Sequence, residues 1–219
     1  MTGSEFVAQL LVEMRAIFAR LGERQALEAE TGGRLEVVAL LRAALKSELE
    51  AAELAGYWMP TTPEIEAKSV LAQQCGEEMK HFQLIAGRLA ALGHEPGGLD
   101  PLAEGYSPLY LYLKGLRTTV ERIAGGPFAS EAIAEVRNAQ FIAFCEQAGD
   151  QETARLYREV IQPEEIHHHR LGGEVLARLC VTPELQALAA AATRNTLAIA
   201  DELSTLAERL TGRHLNPVS

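Results

Sequence analysis

The chain has 219 residues, with 20 Lys plus Arg against 30 Asp plus Glu and a net charge of −10 with His neutral. At 47% hydrophobic and 23% charged residues it carries enough apolar side chain for one buried core, which excludes general disorder. The acidic balance excludes the basic surface on which nucleic-acid binding depends. Three scattered cysteines, Cys75, Cys145 and Cys180, exclude a disulfide framework and a zinc finger.

Glu5 and Glu13 interrupt the apolar pattern of residues 1–18, unlike a signal peptide or an anchor. No apolar run approaches the roughly 18–20 residues that span a bilayer, so a cytoplasmic protein without a membrane partner is expected. Apolar residues recur at three- and four-residue spacing, and no period-two stretch competes with them. The spacing predicts a helix over 4–21, closed near Gly22, and a second over 34–58, stopped at Trp58-Met59-Pro60. Thr62 is the expected N-cap of a third, with Pro63 at its first position and Gly93 closing it after Leu92. Residues 93–106 read as a loop long enough to cross between two helix pairs. Further helices are expected at 107–124, 128–148, 150–180 and 183–211, divided by Gly125-Gly126-Pro127, Gly149 and Thr182-Pro183. The Leu/Ala stripe of the last is core or a subunit face, which leaves a homodimer open. Nothing reads as an interdomain linker. One all-α domain over 1–219 is expected.

Two helical segments contain Glu-x-x-His: Glu78-Met79-Lys80-His81 and Glu164-Glu165-Ile166-His167. Residues three apart share a helix face, so each pair presents a carboxylate and an imidazole to one point. Leu71, Cys75, Phe82 and Ile85 flank Glu78, and Tyr157, Ile161, His168 and Leu171 flank Glu164. These carboxylates therefore point into the core, where an unpaired charge costs several kcal/mol. A metal ion offsets that cost. A dinuclear site in a bundle also needs one Glu from each of two other helices. Glu48, among Leu41, Leu45, Ala52 and Ala55, is the inward one on the helix before Glu78. On the helix before Glu164 the choice is Glu135, among Phe128, Ala132, Ala139 and Ile142, with Glu131 as the alternative. Glu48 to Glu78 is 30 positions and Glu135 to Glu164 is 29, a weak internal repeat. Glu165-x-x-His168 satisfies the same spacing as the second motif. Glu164 and His167 are preferred because Glu165 neighbours Arg158, Gln162 and His169. Pro163 implies a kink, a π-bulge or a helix start beside the site. His169 is expected to face solvent, Cys75 and Cys145 to be buried inert thiols, and Tyr57 and Trp58 to pack at a helix end.

The pattern Glu48…Glu78-x-x-His81…Glu135…Glu164-x-x-His167 resembles the ferritin-like di-iron carboxylate superfamily over about residues 34–180. Within it, EEMKHFQLIAGRLAALG (77–93), YLYLKGLRTTVER (110–122), AEVRNAQF (134–141) and LYREVIQPEEIHH (156–168) are similar to the tRNA isopentenyladenosine hydroxylase group. EEMKH is also similar to bacterioferritins, and the bundle length to aldehyde-deformylating oxygenases. The resemblance implies a ferritin-like four-helix bundle, two antiparallel helix pairs joined by a crossover, with accessory helices at about 4–21 and 183–211. It implies two Fe ions, or Mn, bridged by Glu78 and Glu164. His81, His167, Glu48 and Glu135 would be terminal ligands. The expected function is a di-iron oxidoreductase, a hydroxylase or oxygenase using O2 and an external electron donor. The net charge favours a small organic substrate over tRNA. Competing readings are a ferroxidase or iron store, a manganese catalase, and a non-catalytic helical interaction subunit.

Overall fold

The computed structural model describes residues 1–23, 36–94 and 100–214; the expected start of the second helix at 34 and the middle of the 93–106 loop lie outside them. Helix α1 spans Gly3–Glu23, α2 Val37–Trp58, α3 Ile65–Ala91, α4 Pro108–Lys114, α5 Thr119–Ile123, α6 Glu131–Gln147, α7 Gln151–Leu156, α8 Gln162–Leu179 and α9 Pro183–His214. No strand occurs among the described residues, so the fold is all-α. No described helix is long and apolar enough to cross a membrane.

Three joints differ from expectation. Gly125-Gly126-Pro127 does not separate helices. Ala124–Ser130 forms a π-helical turn that joins α5 to α6 in one rod over 119–147. The wider turn gives Pro127 room without ending the rod. The glycines serve close packing instead: a Cβ on Gly126 would stand 2.8 Å from the Trp58 ring. A second π-turn, Tyr157–Ile161, joins α7 to α8 in a rod over 151–179, with Pro163 just beyond it in the first turn of α8. The chain instead breaks at Gly115–Thr118, where Thr118 and Glu121 form a capping box that restarts the helix. Thr62 does not cap α3, which begins at Ile65 after Glu64. The buried Thr62 hydroxyl donates to the Trp58 carbonyl at 3.0 Å and accepts from Arg122 at 3.2 Å, so it is already committed.

Helix α3 packs back along α2, and the second rod packs back on the first after the turn at Gly149, whose φ of +81° suits glycine. Asp150 caps α7 by accepting from the Thr153 amide. Arg88 ties the end of α3 to this turn, donating to Thr153, Glu152 and Asp150 at 2.6–2.8 Å. That clamp sets the height of α3 against the second rod. Helix α8 also contacts α3, and α1 and α9 cover the outside of the rods.

The apolar core forms two clusters. One holds Leu54, Trp58, Leu71, Phe128, Ile133 and Val175; the other holds Leu41, Leu45, Ile85, Phe141, Tyr157 and Ile161. Along α2, α3 and the second rod a short polar stretch lies between the two clusters, and on the first rod Glu131 stands among the residues of the first cluster. A belt of acidic and imidazole side chains thus crosses the middle of the protein between two apolar layers.

The rods approach closely at Gly172, where a Cβ would lie 2.8 Å from the Phe128 nitrogen and the Pro127 carbonyl carbon. Backbone cannot rotate away as a side chain can. Gly172→Ala is expected to cost about 3 kcal/mol, read as a lower guanidinium midpoint. Gly173→Ala, whose Cβ would meet only side chains, the Phe128 ring at 3.4 Å and Val7 at 3.7 Å, should be neutral or stabilising, since Ala favours helix by about 1 kcal/mol over Gly.

Candidate metal centre

Six buried side chains meet in the polar belt: Glu48 from α2, Glu78 and His81 from α3, Glu131 from α6, and Glu165 and His168 from α8. They form two groups, Glu48–Glu78–His81–Glu165 and Glu78–Glu131–Glu165–His168. Within each group one ligand atom per residue lies within 4.8 Å of every other. Glu78 and Glu165 belong to both groups and straddle them. Glu78 offers Oε2 to His81 Nδ1 at 3.3 Å and Oε1 to His168 Nδ1 at 3.3 Å. Glu165 offers Oε1 to His81 and Oε2 to His168, each at 3.5 Å. Glu48 Oε2 lies 3.4 Å from His81 Nδ1, and Glu131 Oε2 lies 3.9 Å from His168 Nδ1.

The Nε2 atom of each imidazole is held by the other motif. His81 Nε2 lies 2.9 Å from Glu164 Oε2, and His168 Nε2 lies 2.6 Å from Glu77 Oε2. The first Glu of each Glu-Glu-x-x-His run thus orients the imidazole of the opposite run. This is the usual arrangement behind a metal-bound histidine.

Of the residues expected from sequence, Glu48, Glu78 and His81 stand in the cluster, whereas Glu135, Glu164 and His167 do not. Glu164 lies behind His81 and accepts from Lys80 at 2.5 Å. His167 Nδ1 lies 3.0 Å from Arg170 near the surface. Glu135 is half-buried, and its carbonyl accepts from Gln162. The π-turn at Tyr157–Ile161 accounts for the first two corrections. One extra residue in the turn advances the inward face by one position, so Tyr157 and Ile161 share their face with Glu165 rather than Glu164. Glu131 then lies one turn farther from Gly149 than Glu135. Of the residues expected around Glu135, Phe128 and Ala132 are core but Ala139 is exposed, so that stripe leaves the buried face. The signal that finds the right set is the five-residue register: EEMKH (77–81) aligns with EEIHH (164–168), pairing Glu78 with Glu165 and His81 with His168. His169, expected in solvent, is half-buried instead. Its Nδ1 meets the Phe128 carbonyl, in the first rod's π-turn, at 2.6 Å, and its ring stacks on Phe128. Cys145 is buried, which pushes its thiol up to about 12. Cys75 is half-buried. Trp58 is buried, while Tyr57 is exposed beneath the Lys114 ammonium.

The donor set fits metal. Buried Glu78 Oε1, Glu165 Oε2 and His168 Nδ1 have no hydrogen-bond partner, because the contacts between them lack hydrogen-bond alignment. Donor atoms about 3.0–3.4 Å apart are what a small divalent cation with bonds of about 2.1 Å gathers around itself. Four carboxylates balance two divalent cations, with both imidazoles neutral. Without metal, protons take that place. Burial works to keep His81 and His168 neutral, but the carboxylates of Glu48 and Glu78 beside the first, and of Glu165 and Glu78 beside the second, outweigh it and push them up to about 11 and about 10. Burial, with Glu78 and Glu165 nearby, raises Glu48 well above the usual carboxylate range; burial and Glu165 do the same to Glu131. Burial also acts to raise Glu78, yet the His168 and His81 imidazoles beside it hold it well below that range.

These shifts set a pH dependence. Folded His81 and His168 keep their protons far above the unfolded value of 6.5, and Glu48 and Glu131 keep theirs above 4.5. Unfolding therefore releases protons above those values, so the metal-free protein loses stability as pH rises. Its denaturant midpoint should be lower at about pH 9 than at about pH 6. A higher midpoint at about pH 9 would contradict the assigned protons. Metal binding runs the other way, displacing those protons and tightening as pH rises.

A cavity of about 670 Å³ opens onto this cluster, with Glu48, Glu78, Glu131 and Glu165 in its wall. Its other walls are mainly apolar, including Leu40, Leu54, Ile133 and Phe141, with Arg137 and Asn138 beyond Glu131 on α6. Comparison with protein-family models, curated proteins and solved structures finds no match.

Proposed function

We propose that α2, α3 and the two long rods form a ferritin-like four-helix bundle, with α1 and α9 as accessories, around a di-iron carboxylate centre. In this reading the protein is a dioxygen-dependent hydroxylase or oxygenase for a small organic substrate. The observation that carries it is the pair of acidic groups sharing Glu78 and Glu165 and opening on a cavity whose other walls are mainly apolar. Hard carboxylates with imidazole suit iron or manganese. A cavity of this volume takes a drug-sized molecule, which favours an enzyme over a storage shell.

Two reduced irons, when bound, supply electrons for dioxygen activation. The chain supplies the rest. Glu78 and Glu165 would serve both positions from opposite helices, with Glu48 and Glu131 each completing one, and all four carboxylates line the cavity. Glu164 and Glu77 fix the imidazole orientations through Nε2. Leu40, Leu54, Ile133 and Phe141 exclude water and hold the apolar body of the substrate near the carboxylates. A hydroxylation places one oxygen atom of O2 in a C–H bond and reduces the other to water. It takes two electrons and two protons from an external donor.

The test loads anaerobic protein with Fe(II) and mixes it with dioxygen. Dioxygen uptake at a constant two irons per chain, lost in Glu165→Ala, is expected. Iron accumulating to many atoms per chain would instead make it an iron store. Rapid peroxide disproportionation by the Mn-loaded form would make it a catalase. No uptake with metal bound would leave a non-catalytic subunit.

A further inference from the structure

Resting on the dinuclear reading, we infer that the two metal positions are unequal: the Glu131–His168 position binds first and tightly, and the Glu48–His81 position holds the exchangeable metal. The two runs EEMKH and EEIHH are related residue by residue, so differences between them show where the centre departs from symmetry.

The first difference lies four residues before the shared carboxylates. Before Glu78 stands Gln74, which donates through Nε2 to Glu131 Oε1 at 2.5 Å. Before Glu165 stands Ile161, buried and apolar, which has nothing to donate toward Glu48. Glu131 is therefore fixed by an amide before any metal arrives. Glu48 has the His81 imidazole, 3.4 Å away, as the donor facing it.

The second difference lies in the outer carboxylates. Glu77, behind His168, accepts from neutral Gln73. Glu164 gives part of its charge to Lys80, which stands where the other run has His167. A compensated carboxylate makes its imidazole a weaker ligand. The third observation is independent of both. The three orphaned buried atoms, Glu78 Oε1, Glu165 Oε2 and His168 Nδ1, all face the Glu131–His168 position. At the other position His81 Nδ1 already has hydrogen-bond geometry to Glu78 Oε2 at 3.3 Å. A cation gains most where the polar atoms have no other partner. Gln74 and Glu77 are thus positioning residues for the first metal. Lys80 weakens the second.

Crystals of metal-free protein given one equivalent of Mn(II) test the order through the anomalous signal at each position. The expected result is a Mn peak beside Glu131 and His168 at least about threefold above the one beside Glu48 and His81, a ratio that Gln74→Leu reduces toward unity. In solution, Mn(II) titration followed by the EPR signal of the free ion should show one tight ion in His81→Ala and only weak binding in His168→Ala. Glu77→Gln should weaken the tight ion about 10–100-fold, and Lys80→Met should tighten the weak one. Equal peaks in the wild-type crystal, or equal losses in the two histidine variants, would overturn the inference while leaving a dinuclear centre. Failure of the wild type to bind any Mn(II) or Fe(II) would remove the dinuclear reading itself.

Discussion

Glu165→Ala will lose both metal positions, whereas Glu164→Ala and His167→Ala will keep them. Glu165 presents one oxygen toward each imidazole, each 3.5 Å away, so its removal takes a ligand from both positions at once. The stoichiometry after anaerobic equilibrium dialysis with Fe(II) should fall from two per chain to less than one. Glu164 touches His81 only through Nε2. Its loss should weaken that position about 10–100-fold, as removal of an outer partner does, and saturating metal should restore two per chain. His167 pairs with Arg170, so its loss should change neither position. Two metals retained by Glu165→Ala would show that the shared carboxylates have been misassigned.

That contrast turns on one residue of register, which the sequence carries only in part. The long helices were readable because Leu, Ala and Ile recur with helical period and because Gly93 and Gly149 mark real ends. Gly125-Gly126-Pro127 was misleading because the residues that break a helix are also those that fit a π-turn packed against Trp58. The π-turn at Tyr157–Ile161 has no such mark. It depends on how the rod packs, and counting offsets of three, four and seven across it moves the face by one residue. Glu48, Glu78 and His81 lie on helices without such a turn, and there ordinary periodicity sufficed. Gln74, Glu77 and Lys80 act between helices, so their partners emerge only when the rods are placed together.

Removing metal will lower the melting temperature substantially. Metal held by the folded state and not by the unfolded one contributes about 2.7 kcal/mol at a free concentration 100 times its dissociation constant. In a chain of this length each kcal/mol moves the midpoint by about 2–4 °C. Two ions therefore raise it by roughly 10–20 °C. The metal-free belt also packs four carboxylates and two imidazoles together, with protons held on Glu48, Glu131, His81 and His168, an arrangement that loses stability as pH rises. Calorimetry with and without a chelator should show the difference. The double variant His81→Ala/His168→Ala should show almost none, which separates metal at this centre from metal bound elsewhere. An unchanged midpoint in the wild type would argue that the belt is stable without cations.

Six side chains from four helices converge where two cations are proposed. The most direct measurement is a crystal structure of protein reconstituted anaerobically with Fe(II), with diffraction collected at the iron absorption edge. Two anomalous peaks about 3.5–4 Å apart are expected, both between Glu78 and Glu165, one beside Glu48 and His81 and the other beside Glu131 and His168. No iron in the belt, or iron bound by Glu135, Glu164 and His167, would contradict it.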